Sequence, residues 1–149
     1  MRKLLFLFLT YHLSLTTSFA QSDGINSSSG DIDKPQVFRA YIVNKEYDVY
    51  MRINLYDQNI EVPGQELYGL LPGYLGKNHN SFCWVITSAK VKGNTATLAL
   101  INDYGSEDLT ATLTRKNDSI YILKQESGST LKVPKNGKWQ KLPKTLELK

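Results

Sequence analysis

One cysteine and two histidines are the residues on which nucleophilic or soft-metal chemistry would have to rest. His12 falls in an amino-terminal stretch expected to be removed. That leaves His79 and Cys83 in Gly76-Lys77-Asn78-His79-Asn80-Ser81-Phe82-Cys83. A cysteine and a histidine form an activated nucleophile when the imidazole takes the thiol proton and a further group orients the ring. Here the histidine reads as a loop residue, the cysteine as a strand residue between Phe82 and Trp84, and nothing nearby marks an orienting group. The pair therefore reads as a solvated imidazole beside a buried, inert thiol. A zinc site needs more Cys, His and carboxylate ligands than these two supply. The loop Asn102-Asp103-Tyr104-Gly105-Ser106-Glu107-Asp108 is the most acidic. Its spacing departs from the alternate ligands and distant Glu of an EF-hand calcium loop. Asn and Asp capping their own backbone in a hairpin turn account for it better. No Gly-rich phosphate loop, Walker sequence or Ser nucleophile elbow is present. No catalytic residue, metal or cofactor is expected.

Two surfaces could bind instead. Lys132, Lys135, Lys138, Lys141 and Lys144 recur at every third position, interrupted by Pro134, Gly137 and Pro143. The prolines and the glycine exclude a helix through them. A step of three alternates faces along a strand, so the array would not line up on one side of a regular hairpin. It reads as a basic surface for an acidic partner, an anionic glycan or a lipid headgroup, or else as a Lys-blunted hairpin that resists edge aggregation. The second surface is Tyr50, Arg52, Asn54 and Tyr56, alternate residues on the polar face of one long strand. Tyr and Arg are enriched at binding hot spots, and Tyr offers a sugar an apolar face with a hydrogen-bonding tip. The binding residues expected on these grounds are Tyr50, Arg52, Tyr56, Lys132, Lys135, Lys138 and Lys141.

The elements that must position these groups are strands. Tyr47, Val49, Met51, Ile53 and Leu55 alternate with Asp48, Tyr50, Arg52, Asn54 and Tyr56. That period of two marks a half-buried strand. Weaker alternation predicts strands near 37–43, 66–71, 82–91, 95–101, 109–115, 119–124, 130–133, 138–142 and 145–148. Between them lie Lys92-Gly93-Asn94, Lys116-Asn117-Asp118, Ser127-Gly128-Ser129 and Asn136-Gly137, whose Gly and Asn accept the positive φ of tight hairpins. The least regular stretch, Gly69 to Asn80, could hold one short helix. Trp84 and Trp139 are expected to anchor the core. Hairpin-connected strands in this number close naturally into an up-and-down barrel, which removes exposed sheet edges. The expected fold is all-β, an antiparallel meander closing into a small, lipocalin-like β-barrel, with a β-sandwich as the alternative.

Met1-Arg2-Lys3, the apolar run Leu4 to Leu9 and Ser18-Phe19-Ala20 before Gln21 fit a cleaved signal peptide over residues 1–20. The run is too short to span a bilayer, which takes about 20 apolar residues. No Cys follows the cleavage point, so a bacterial lipoprotein is excluded. Residues 21–35 are rich in Ser, Gly and Asp and read as a flexible leader. A single all-β domain fills 36–149. The formal charge of +4 falls to +2 without Arg2 and Lys3, too little for a dedicated nucleic-acid binder. Residues 124–149 hold seven Lys against two Glu, so one basic patch is expected. A lone cysteine cannot bridge within the chain, and a dimer through Cys83 is the covalent alternative.

The closing segment, Gly128-Ser129 through Trp139-Gln140-Lys141-Leu142, resembles small periplasmic lysozyme inhibitors and lipocalin-like barrels. The resemblance covers about the last 60 residues and is one of architecture, which does not imply function. The inhibitors commonly carry disulfides, which this chain cannot form internally. The chain is expected to be an exported, soluble, non-catalytic binding module, secreted or periplasmic, for a protein or glycan partner. The alternatives are an inhibitor or immunity protein against a hydrolase, presenting a loop such as Leu71-Pro72-Gly73-Tyr74-Leu75-Gly76, and a barrel carrying a small ligand inside.

Overall fold

A computed structural model describes residues 36–149; the expected signal peptide and leader lie outside the described residues. The alternating sequence forms β1 (Arg39–Asn44), β2 (Val49–Asn54), β3 (Ile60–Glu61), β4 (Leu70–Leu71), β5 (Gly73–Lys77) and β6 (Cys83–Lys92). It continues through β7 (Thr95–Asn102), β8 (Asp108–Arg115), β9 (Tyr121–Gly128), β10 (Lys132–Lys135), β11 (Lys138–Lys141) and β12 (Thr145–Leu148). Eight of these make one sheet in the order β1-β2-β5-β6-β7-β8-β9-β12, antiparallel throughout. Its edges meet. Val43 and Lys149 exchange backbone hydrogen bonds of 2.8 and 2.9 Å, and Asn44 Nδ2 donates to the Glu147 carbonyl at 2.8 Å. The sheet is thereby nearly closed into a barrel, as the meander predicts.

Period two decides what fills it. Ala96, Leu98 and Leu100 of β7 and Leu109, Ala111 and Leu113 of β8 point inward and are buried, while Thr97, Thr110, Thr112 and Thr114 face out. Val49, Met51 and Ile53 of β2 do the same against Tyr50 and Arg52. Trp84, Phe38, Met51, Leu75 and Leu148 are wholly buried in the same interior core.

Gly69 to Asn80 holds a strand in the barrel wall, not a helix. β5 (Gly-Tyr-Leu-Gly-Lys) pairs with β2 on one side and β6 on the other. Its glycines concealed it, and both are there for close approach. A Cβ on Gly73 would stand 2.2 Å from the Arg52 carbonyl oxygen, and one on Gly76 would stand 2.6 Å from the Tyr50 ring. The segment Leu71 to Gly76 is therefore wall and not a presented loop. The strand expected near 66–71 is instead a single 3-10 turn, Glu66–Tyr68, followed by the two-residue β4.

Two excursions decorate the barrel. Residues 55–72 carry the β3–β4 pair and lay Ile60 and Val62 on Tyr74, Cys83 and Val85, a second small core on the outer face. The β10–β11 hairpin, turning on Asn136 (φ 51°) and Gly137 (φ 73°), pairs only with itself. It caps one end of the barrel, sending Leu131, Val133 and Leu142 into the main core. Buried Gln125 holds both of its roots. Its Oε1 accepts the Leu131 N–H at 2.7 Å and its Nε2 donates to the Pro143 carbonyl at 2.9 Å. Trp84 Nε1 donates to the Lys132 carbonyl at 2.9 Å.

Candidate functional site

The outer core leaves a crevice of about 310 Å³ between the Pro63-Gly64-Gln65 segment, the tyrosines of β2 and β5, and the start of β6. Strand alternation builds it. Phe82, Trp84 and Ile86 turn inward, so Cys83 and Val85 turn outward beside Tyr74, which faces Val85 across β5–β6. Tyr50 meets Tyr74 edge-on at 5.8 Å and stacks on Tyr41 at 5.3 Å. Asp103 completes the wall, its carbonyl accepting from Gln65 Nε2 at 3.4 Å.

Burial disfavours the charged forms of the groups in this crevice. Burial, with a smaller contribution from Asp103, pushes the Cys83 thiol up to about 11. Burial also pushes the Tyr50 phenol up to about 12, helped by its hydrogen bond with Tyr74. Burial raises the Asp103 carboxyl above its usual range against the opposing pull of backbone N–H groups, and its Oδ1 is buried without a hydrogen-bond partner. A thiolate is the reactive form of cysteine. A thiol near 11 is almost entirely protonated at neutral pH. His79 does not correct this, because it lines a different crevice, with Glu46, Lys77 and the tip of the β10–β11 hairpin. A disulfide to a second chain meets a similar obstacle. Cys83 is 4 % exposed, and an incoming sulfur would have to displace the packing over it.

Phe82 joins this crevice to an aromatic shelf on the capped end of the barrel. Trp139 packs against Phe82 at 5.0 Å and Tyr104 lies 6.1 Å from it. Trp139 is 49 % exposed and Tyr104 72 %. Only Trp84 of the two tryptophans is a core anchor. Trp139 sits outside because its β11 position pairs with Pro134 on the solvent side of the cap. Lys132 lies 5.5 Å over the Trp139 ring and bonds Glu107 at 2.8 Å, tying cap to β7–β8 loop.

The expected binding residues are only partly brought together. Lys132 pairs across the hairpin with Lys141, and Lys135 with Lys138, so the two pairs occupy opposite faces of the ribbon. Lys135, Lys138 and Lys141 are exposed; Lys132 is half-buried in its ion pair. Tyr50 faces the crevice and Arg52 faces solvent. Tyr56 lies past the end of β2, its hydroxyl accepting the Phe38 N–H at 3.4 Å. Asn54, on the same sequence face, is buried. It organises the turn after β2 through Asp57 and Asn59. In the acidic loop, the Asn102 side chain accepts from the N–H groups of Ser106 and Glu107 and donates to both their side chains. Its carboxamide thus spans the turn that a cation would need to open.

Sequence reasoning missed Phe82, Tyr104 and Asp103 as members of one surface. Phe82 and Asp103 belong to motifs weighed for catalysis and calcium, and the fold brings those motifs together through the pairing of β6 with β7 and the Asp103 N–H to Cys83 carbonyl bond of 3.0 Å. No helix among the described residues is long and apolar enough to cross a membrane. No protein-family model, known protein or solved structure matches this chain.

Proposed function

We propose that the chain is an exported, non-catalytic binding module, secreted or periplasmic, that recognises a protein or glycan partner through its outer surface. The observation that carries this reading is the aromatic shelf. Trp139 and Tyr104 stand 49 % and 72 % exposed around Phe82, with Lys132 over the Trp139 ring and Lys141 on the same face of the hairpin. Exposed Trp and Tyr next to cationic side chains are typical of recognition surfaces. The packing inside the barrel favours an outer site over a small ligand carried within, since Trp84, Phe38, Met51 and Leu75 fill the interior. The amino-terminal Met1-Arg2-Lys3 and Leu4 to Leu9 support export, with cleavage before Gln21.

Tryptophan fluorescence tests the reading directly, because Trp84 is buried and Trp139 is not. Soluble chitin, β-glucan and peptidoglycan fragments, and secreted hydrolases with their substrates, would be titrated against the chain. A saturable change in emission that Trp139→Phe abolishes is expected for one of them. Unchanged emission and undisturbed hydrolase activity throughout the panel would count against it. The second reading, an inhibitor or immunity protein for a hydrolase, is favoured by the exposed Leu67 and Leu70. These could enter an enzyme cleft, and loss of hydrolase activity on titration distinguishes it.

A further inference from the structure

The crevice of about 310 Å³ behind the Pro63-Gly64-Gln65 lip has one charged residue in its lining, Asp103. The rings of Tyr50, Tyr74 and Phe82 give it aromatic walls, and no Lys, Arg or His lines it. Tyr74 and Phe82 are 6 % and 4 % exposed, so these walls belong to the packed barrel. Asp103 lacks a counter-charge. None of the ion pairs among the described residues includes it, and its Oδ1 has no hydrogen-bond donor. A carboxylate drawn out of water with nothing opposite it costs free energy, and its raised pKa has that cause. A cation beside it offsets the cost.

The aromatic walls favour the same sign, because the face of a ring is negative. Calcium takes about six to eight oxygen ligands, and one carboxylate among rings does not supply them. An organic cation can use both the charge and the rings. The volume lies at the small end of ligand pockets, which suits a compact molecule. We propose that the crevice binds a small primary amine in its protonated form, with the ammonium against the Asp103 carboxylate and the apolar body between the tyrosine rings and Pro63. A carboxylate short of a donor calls for an N–H, which a quaternary ammonium lacks. The site shares only Phe82 with the aromatic shelf, and it stands apart from the partner-binding reading.

Amide NMR spectra of the purified chain, titrated with phenethylamine or with phenethyl alcohol, read the site. The alcohol has the same apolar body and no charge. The amine is expected to saturate, to move the amides of Gln65, Tyr74, Cys83 and Asp103 together, and to bind roughly tenfold or more tightly than the alcohol. Its trimethylated form is expected to bind more weakly. Asp103→Asn keeps the shape of the side chain and removes the charge, and is expected to reduce the amine to the affinity of the alcohol. Asp118→Asn removes the same charge from an exposed turn outside the crevice and is expected to leave binding unchanged. The dispersion of each spectrum confirms that the variant is folded. Absence of saturable shifts with the amine would overturn the proposal, as would equal affinity for the alcohol or the trimethylated form. Binding that survives Asp103→Asn, or that Asp118→Asn weakens as much, would overturn it too. The fluorescence titration at Trp139 decides the partner-binding reading separately.

Discussion

The ring of Tyr50 occupies the space that a side chain on Gly76 would need. The two residues are paired directly across β2 and β5, and a Cβ on Gly76 would stand 2.6 Å from Tyr50 Cζ and Oη. An aromatic ring laid over a strand glycine covers backbone that would otherwise be exposed. Here it also sets the floor of the crevice, since the same ring meets Tyr74 edge-on and stacks on Tyr41.

Gly76→Ala is therefore expected to destabilise the barrel by about 1–3 kcal/mol, the range for overpacking a filled site. In an unobstructed strand the same change would stabilise, because alanine loses less backbone entropy than glycine. Chemical denaturation of Gly76→Ala, Tyr50→Ala and the double variant measures the coupling. Additive effects would mean that the ring does not press on Gly76.

Gln125→Met keeps the volume of a buried side chain but removes the bonds to Leu131 N–H and the Pro143 carbonyl. The Leu131 N–H would be left buried without an acceptor, a loss of about 1–3 kcal/mol. Amide exchange is expected to accelerate over 129–142 first, because both roots of the cap loosen while the wall strands stay paired. Uniform acceleration over the whole barrel would show that the cap does not open by itself.

The raised Asp103 carboxyl gives the stability a pH dependence of known sign. A raised folded pKa means that the native state holds the proton more firmly than the unfolded chain. The stabilising contribution is complete below the ordinary value of 3.8 and is lost as pH rises through the raised folded value. Asp103→Asn removes that loss. Its melting temperature relative to the native chain is expected to be more favourable near about pH 7 than near about pH 3, and an equal difference at both would contradict the buried carboxyl.

Cys83 predicts a chemical counterpart. With the thiol pushed up to about 11, its stabilising contribution is present below the ordinary 9.0 and disappears as pH rises through the folded value. At about pH 8, roughly one thiol in a thousand would be ionised. Alkylation of the folded chain by iodoacetamide should lag far behind that of the urea-unfolded chain, with the gap narrowing as pH climbs. Equal rates near neutral pH would place the sulfur in an accessible, ionised setting.

Local pattern revealed the wall and not the surface. Thr95 to Asn102 and Asp108 to Arg115 betray themselves by strict alternation, because each has one face in the core and one in water. β5 lacks that signature, since four of its five residues are buried and two are glycines whose role lies in Arg52 and Tyr50 on the neighbouring strand. The shelf was hidden for a related reason. Phe82, Tyr104, Lys132 and Trp139 belong to separate segments that meet only after the β10–β11 hairpin folds over the barrel end. The lysine period was visible, and so was its alternation between faces, which the register bears out by sending Lys132 and Lys141 to one side and Lys135 and Lys138 to the other.

The barrel seam joins Asn44 to Glu147, 103 positions away along the chain. Contacts between such distant partners form slowly, because a long loop must close before any bond repays the lost entropy. The strand that completes the seam is also the last of the barrel strands in chain order, and so the last of them that a ribosome makes. Until β12 emerges, β1 and β9 each lack a neighbour, and the growing chain remains an unfinished cylinder.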